Sequence, residues 1–203
     1  PISILDCDRE GRVWIVVENS DVFCYDPQTR GVECRYKPRK PLRSLASDKN
    51  GVIWFAGYGG GLYCTEDLFQ NVKPFLDADG QEIYPKDIIS FICLSDYNEM
   101  YLGLEEHGVA KVDLVAGTVT RLRLSDNPDA PLFVRHILPY SPDELWIGTE
   151  SGIVVYNIRT RRYQHLKSSP YDPYSLSDNA VYSLCKDREG GLWIGSFFGG
   201  INY

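Results

Sequence analysis

Three histidines, a set of glutamates and six cysteines carry the side chains best suited to catalysis or metal binding in this 203-residue chain. His107, His136 and His165 fall in three different stretches, and their spacing defines neither a metal triad nor a nucleophile with its base. Glu105 and Glu106, with Glu150 further on, are carboxylates of the kind a glycosidase uses as acid and base, but spacing alone fixes no separation between them. Asp77-Ala78-Asp79-Gly80 resembles the start of a calcium loop. Its glycine comes two positions too early and the bidentate glutamate is missing, so a solvated turn is expected. The cysteines form no CxxC pair, which argues against a zinc or redox site. Most are expected to be buried free thiols, Cys24 and Cys64 occupying equivalent strand positions where a small apolar side chain packs well. No cofactor and no metal is expected.

Whether other residues converge on a binding site depends on the elements that carry them. Aligning the chain on its large aromatics places Trp14, Trp54, Tyr101, Trp146 and Trp193 in register, 40, 47, 45 and 47 residues apart. A period of this size marks a repeat architecture. Each unit reads as four short strands. A first apolar strand (Ile2 to Leu5 in the first unit) leads to a turn such as Asp8-Arg9-Glu10-Gly11, Asp48-Lys49-Asn50-Gly51 or Asp187-Arg188-Glu189-Gly190. Aspartate can bond the turn backbone, and glycine supplies positive φ. The second strands, VWIVV, VIWFAG, MYLGL, LWIG and LWIG, are apolar on both faces, as expected of strands packed on both sides. Their aromatic residues, with Gly148 and Gly195, are therefore expected to be structural. A tight turn leads to a third strand, and the fourth alternates apolar and polar residues. Pro74 in VKPF fits an edge position. The third unit has a shortened turn at Asp96-Tyr97-Asn98-Glu99.

Such meanders predict an all-β chain, a β-propeller fragment of four-stranded antiparallel blades. One partial propeller is expected over 1–203, with blades at approximately 1–40, 41–86, 87–132, 133–178 and 179–203. The last is truncated, giving about four and a half blades, not closed on its own. Unpaired edges of an open propeller predict self-association. A parallel β-helix is the competing architecture, but its coils are shorter and lack a polar fourth strand at every period.

The fifth unit, SLSDNAVYSLCKDREGGLWIGSFFGGINY from Ser175, and LWIGTESGIVVYN in the fourth (Leu145 to Asn157) resemble the two-component regulator propeller repeat. That repeat occurs in the extracytoplasmic sensor halves of hybrid two-component histidine kinases from polysaccharide-degrading gut bacteria. Agreement weakens toward the N-terminus, where Val16 replaces the glycine after Trp-Ile and Asp21 stands in place of the second glycine. The resemblance implies a sensor that binds oligosaccharides and signals across the membrane to control glycan-utilisation genes. It further implies the periplasmic part of an inner-membrane protein, anchored through downstream segments outside this sequence, with a kinase domain also outside it. The chain starts at a repeat boundary and stops inside a repeat motif, as expected of a piece of a longer protein.

In a meander the loops after the second and fourth strands share one end. On that end are expected Tyr58, Glu105, Glu106, His107, Phe197 and Phe198, with the strand-entry residues Arg43, Lys86, Arg135, His136 and Asn179. Aromatic rings cover the apolar face of a sugar, while carboxylate, guanidinium and amide groups meet its hydroxyls. These residues are the ligand-binding candidates, except that Asn179 is expected to hold an inter-blade loop. A net charge of −7 argues against nucleic acid as a partner. No apolar run reaches the roughly 18 residues needed to cross a bilayer. A protein-interaction scaffold, a propeller lyase or another glycan-active enzyme are the alternative readings.

Overall fold

The computed structural model describes residues 1–95, 98–127 and 130–203. Asp96 and Tyr97 of the expected third-unit turn lie outside the described residues. The first sheet is built from β1 (Ile2–Cys7), β2 (Val13–Val17), β3 (Asp21–Asp26) and β4 (Gly31–Tyr36). The second comprises β5 (Leu42–Ser47), β6 (Ile53–Gly57), β7 (Leu62–Thr65) and β8 (Lys73–Pro74). The third holds β9 (Ile89–Leu94), β10 (Glu99–Leu104), β11 (Gly108–Asp113) and β12 (Val119–Arg121). The fourth contains β13 (Val134–Ser141), β14 (Glu144–Thr149), β15 (Gly152–Asn157) and β16 (Arg162–Leu166). The fifth is β17 (Val181–Lys186), β18 (Leu192–Ser196) and β19 (Gly200–Asn202). In every sheet the strands lie side by side in chain order, a simple meander.

The expectation of about four and a half blades, not closed on its own, is overturned: the described residues form five antiparallel sheets. The fifth has three paired strands rather than a half-blade. Gly200, Ile201 and Asn202 are enough to pair with Ser196, Gly195 and Ile194.

The chain divides into two compact units, Pro1–Leu102 with Val112–Val119, and Gly103–Lys111 with Thr120–Tyr203. In the first, Trp14, Val16, Val22, Leu45, Ile53 and Phe55 form a continuous core. In the second, Ile153, Val181, Leu184 and Ile194 form a core against which Trp146 packs. Each fully buried aliphatic side chain contributes about 1.5–3 kcal/mol relative to exposure. Among the second strands β6 and β10 supply much of this, all five residues of β6 and five of six in β10 being buried, whereas β2 alternates and β18 buries one residue of five. The outer strands β4 and β16 are mostly exposed. β8 and β12 are shorter than the sequence patterns VKPF and VTRLRL.

The repeat aromatics do not share one environment. Trp14, Trp54 and Tyr101 are buried, whereas Trp193 is 45% exposed and packs tilted against Tyr203 at 4.6 Å between ring centroids. The small thiols Cys24 and Cys64 sit directly across the ladder from Trp14 and Trp54. All six cysteines are free. Only Cys24, Cys64 and Cys93 are buried; Cys7, Cys34 and Cys185 are exposed, correcting the expectation that most would be buried. Burial pushes the Cys93 thiol up to about 12, so it is a packing residue rather than a nucleophile.

Asp77 accepts backbone N–H bonds from Asp79 (3.0 Å) and Gln81 (2.8 Å). Its carboxylate closes a turn. Among the described residues no group of His, Cys, Asp and Glu is arranged to hold a metal ion.

Candidate functional site

Each described pairing of a first with a second strand contains the same irregularity. The register skips one residue between Ile2 and Ile4, Leu42 and Ser44, Val134 and His136, and Val181 and Ser183. The skipped residues are Ser3, Arg43, Arg135 and Tyr182, at one position of the repeat. A bulge leaves its residue outside the ladder and re-aims the side chain.

A repeated backbone bond frames each bulge. The residue four after the tryptophan donates its N–H to the carbonyl thirteen before it: Glu18 to Pro1 (2.9 Å), Tyr58 to Pro41 (3.2 Å), Glu150 to Phe133 (3.2 Å) and Phe197 to Ala180 (2.8 Å). In three of the four the bulged side chain meets the first residue of the loop after the second strand, whereas the Ser3 hydroxyl donates to the Val16 carbonyl and accepts the Asn19 N–H. Arg43 donates to the Tyr58 hydroxyl at 3.2 Å and lies over its ring at 5.5 Å. Arg135 meets Glu150, and the Tyr182 and Phe197 ring centroids are 5.2 Å apart.

The richest of these positions lies in the second unit. Arg135 donates from Nε to Glu150 Oε1 at 3.0 Å, a second bond runs from Nη2 to the same oxygen, and Nη1 lies 3.5 Å from Glu105 Oε1. The Tyr182 hydroxyl donates to Glu150 Oε1 at 3.3 Å, and the Arg135 guanidinium lies 5.3 Å from the Tyr182 ring centre. The Arg135 side chain is only 14% exposed. Burial opposes its charge, but the Glu150 bonds and the charges of Glu150 and Glu105 outweigh that and raise its pKa. The guanidinium thus stays charged and is held from three sides.

Beside this cluster stands an aromatic shelf. Tyr182, Phe197 and Phe198 are 42%, 61% and 84% exposed, and Phe197 and Phe198 meet edge to face at 4.6 Å. The loop that carries them is tied down. Phe198 N–H donates to Asp178 Oδ2 at 3.1 Å, and the Ser177 hydroxyl donates to the Gly199 carbonyl at 3.0 Å. The Asn179 side-chain oxygen accepts Ser168 N–H at 2.8 Å, which fixes the preceding inter-blade loop. Exposed rings on a tethered loop next to a fixed charge offer a surface on which a flat apolar face and polar edges can both be satisfied.

The sequence candidates divide between the two units. Glu105, Arg135, Phe197 and Phe198 belong to this second-unit surface. Glu106 uses its carbonyl to accept Leu132 N–H at 3.0 Å. His107 lines a separate pocket of about 270 Å³ with Arg121 and Leu132. His136 sits in β13 opposite Gly148, and burial pushes its pKa down to about 4, so it is neutral at physiological pH. Tyr58 and Arg43 form their own pair in the first unit, where Lys86 is exposed. The sequence reading missed Tyr182 as a site residue, although it shares a repeat position with Arg43 and Arg135, eleven residues before the tryptophan. Glu105 and Glu150 share one arginine.

Comparison with known proteins places this geometry in context. The histidine kinase P4 of Formosa agariphila is 24% identical over 186 residues, covering 88% of this chain and 13% of that protein. Among solved structures, an extracellular domain assigned to a hybrid two-component system of B. thetaiotaomicron superposes with a TM-score of 0.79 at 17% identity, covering 98% of this chain and 26% of that one. PorZ, a surface component of the type-IX secretion system of Porphyromonas gingivalis, gives 0.74 at 17% identity, covering 98% of this chain and 31% of its own. The chain therefore spans only a small part of the length of these relatives. A family model described as "Two component regulator propeller" matches residues 175–198, the segment that holds Tyr182, Trp193, Phe197 and Phe198. Over residues 175–198 the chain matches the two-component regulator propeller repeat.

Proposed function

We propose that this chain is the ligand-sensing part of a hybrid two-component sensor histidine kinase, placed on the periplasmic side of the inner membrane, and that it binds a glycan-derived oligosaccharide. The observation that supports this most is the second-unit surface, where exposed Phe197 and Phe198 adjoin an arginine fixed by Glu105, Glu150 and Tyr182. Rings stack on the C–H face of a sugar, and the carboxylates and guanidinium bond its hydroxyls. Ligand binding favours one arrangement of paired copies over another and so biases a kinase domain supplied by the rest of the protein. In this reading the segment itself performs no chemistry and uses no cofactor, and membrane attachment belongs to other segments. Titration with defined oligosaccharides, with and without Phe198 and Arg135, tests the reading.

A further inference from the structure

A second concave site lies in the first unit and shares no residue with the Arg135 surface. It is a pocket of about 330 Å³, within the size range of small-ligand sites. Its floor is aromatic. Phe55, 2% exposed, stacks against Tyr63 at 5.8 Å and 17°, and Tyr36 tilts onto it at 5.5 Å. Tyr58 closes one side.

The rim is cationic and stiff. It is the segment Lys37-Pro38-Arg39-Lys40-Pro41, in which two prolines three residues apart fix φ. Lys37 is committed to Asp21 at 3.1 Å, and Lys40 donates to the Gly59 carbonyl. Arg39 is exposed, and among the described residues no carboxylate pairs with it. Arg39 lines the same pocket as Tyr36 and Tyr63, so the cation and the aromatic floor face one cavity. Between Tyr36 and Tyr63 the sequence holds a single acid, Asp48, which is bonded to Trp54. In a chain of net charge −7 this is a local excess of positive charge.

An aromatic floor under an uncommitted guanidinium matches a ligand with one flat apolar face and one anionic substituent. We infer that this pocket binds an acidic sugar, in which a carboxylate or sulfate meets Arg39 and Lys40 while the ring lies against Tyr36 and Tyr63. The choice of a sugar as the carrier rests on the carbohydrate reading above; the preference for an anion rests on the pocket alone. Arginine pairs bidentately with either oxyanion.

The test is calorimetric titration of the intact protein with glucuronic acid, galactose 6-sulfate and methyl glucoside. At least one acidic probe is expected to bind about tenfold or more tightly than the neutral one, and which acidic probe does so distinguishes carboxylate from sulfate. The double variant R39Q/K40Q, which alters only exposed side chains, is expected to weaken that binding about tenfold with an unchanged melting temperature. The variant R135A is expected to leave it unchanged, which separates this pocket from the second-unit surface. Equal affinity for acidic and neutral probes, no binding of any probe at millimolar concentration, or undiminished binding in R39Q/K40Q overturns the inference. Acidic-probe binding that persists when no neutral oligosaccharide binds anywhere would uphold this pocket and count against the second-unit surface alone.

Discussion

The indole N–H of Trp14 donates to Asp8 Oδ2 at 3.0 Å, across six residues of sequence. The same carboxylate closes the turn through Oδ1, which accepts the N–H groups of Glu10 and Arg12, both at 3.0 Å. Asp48 with Trp54 and Asp187 with Trp193 repeat the arrangement at 3.1 and 3.0 Å. In these three repeats one aspartate thus ties a turn to the strand that follows. Asp8→Ala leaves the fully buried Trp14 indole and two turn N–H groups without their acceptor, an expected loss of about 2 kcal/mol in urea unfolding.

This relationship gives acid sensitivity a definite sign. Burial alone would raise the Asp8 carboxyl, but the bonds from Arg12, Trp14 and the backbone outweigh it and hold the pKa below the usual carboxylate value. The Trp193 bond lowers Asp187 likewise. A depressed pKa contributes stability that is fully present above the unfolded carboxylate value of about 4 and is lost as pH falls through the lower folded value. Urea midpoints measured from pH 7 to pH 2 are expected to hold steady and then fall below about pH 4. In Asp8→Asn the fall should be shallower.

In the fourth sheet the equivalent turn position is Tyr140, and its ring lies 5.5 Å from that of Trp146. The buried Trp146 Nε1 has no hydrogen-bond acceptor among the described residues. Trp14→Phe removes a satisfied bond, whereas Trp146→Phe removes an unsatisfied donor. Because an unmet buried donor is itself costly, Trp146→Phe should destabilise by about 1 kcal/mol less than Trp14→Phe. Thermal melts of the two variants give the comparison directly.

Gly148 is required by space rather than by turn geometry. A Cβ there would lie 3.0 Å from Val181 Cγ1 and 3.2 Å from the Val181 carbonyl oxygen. Val181 is fully buried in the second-unit core and cannot retreat. Gly148→Ala is therefore expected to cost about 1–3 kcal/mol by overpacking, measured as a lowered urea midpoint.

The repeat, the Asp-x-x-Gly turns and the strand order were legible because they rest on local chemistry: a carboxylate that bonds its own turn, a glycine at positive φ, a large apolar residue every 40 to 47 positions. The sheet count was less so: the fifth unit read as a truncated half-blade, yet the three residues Gly200 to Asn202 pair as a third strand. The site was half legible. Glu105, Phe197 and Phe198 were candidates from loop placement and Arg135 as a strand-entry residue, but Tyr182 was not, because a bulge is a property of two strands in register and leaves no mark in either alone. Only superposing the repeats on their tryptophans puts Tyr182 beside Arg135 and Arg43. Exposure of Cys7, Cys34 and Cys185 was hidden for a similar reason: the same residue type serves a covered face in one sheet and an open one in another.

The reading of the second unit as a carbohydrate-binding surface is tested most directly by titrating the protein with a panel of neutral, uronic-acid and sulfated oligosaccharides and repeating the measurement with Phe198→Ala and Arg135→Ala. Phe198 is 84% exposed, so its replacement should leave the melting temperature unchanged while weakening binding about tenfold, the loss expected for one stacking ring and its buried area. Arg135→Ala should weaken binding further. Affinity for a bound oligosaccharide that is the same in both variants as in the parent protein would contradict the account.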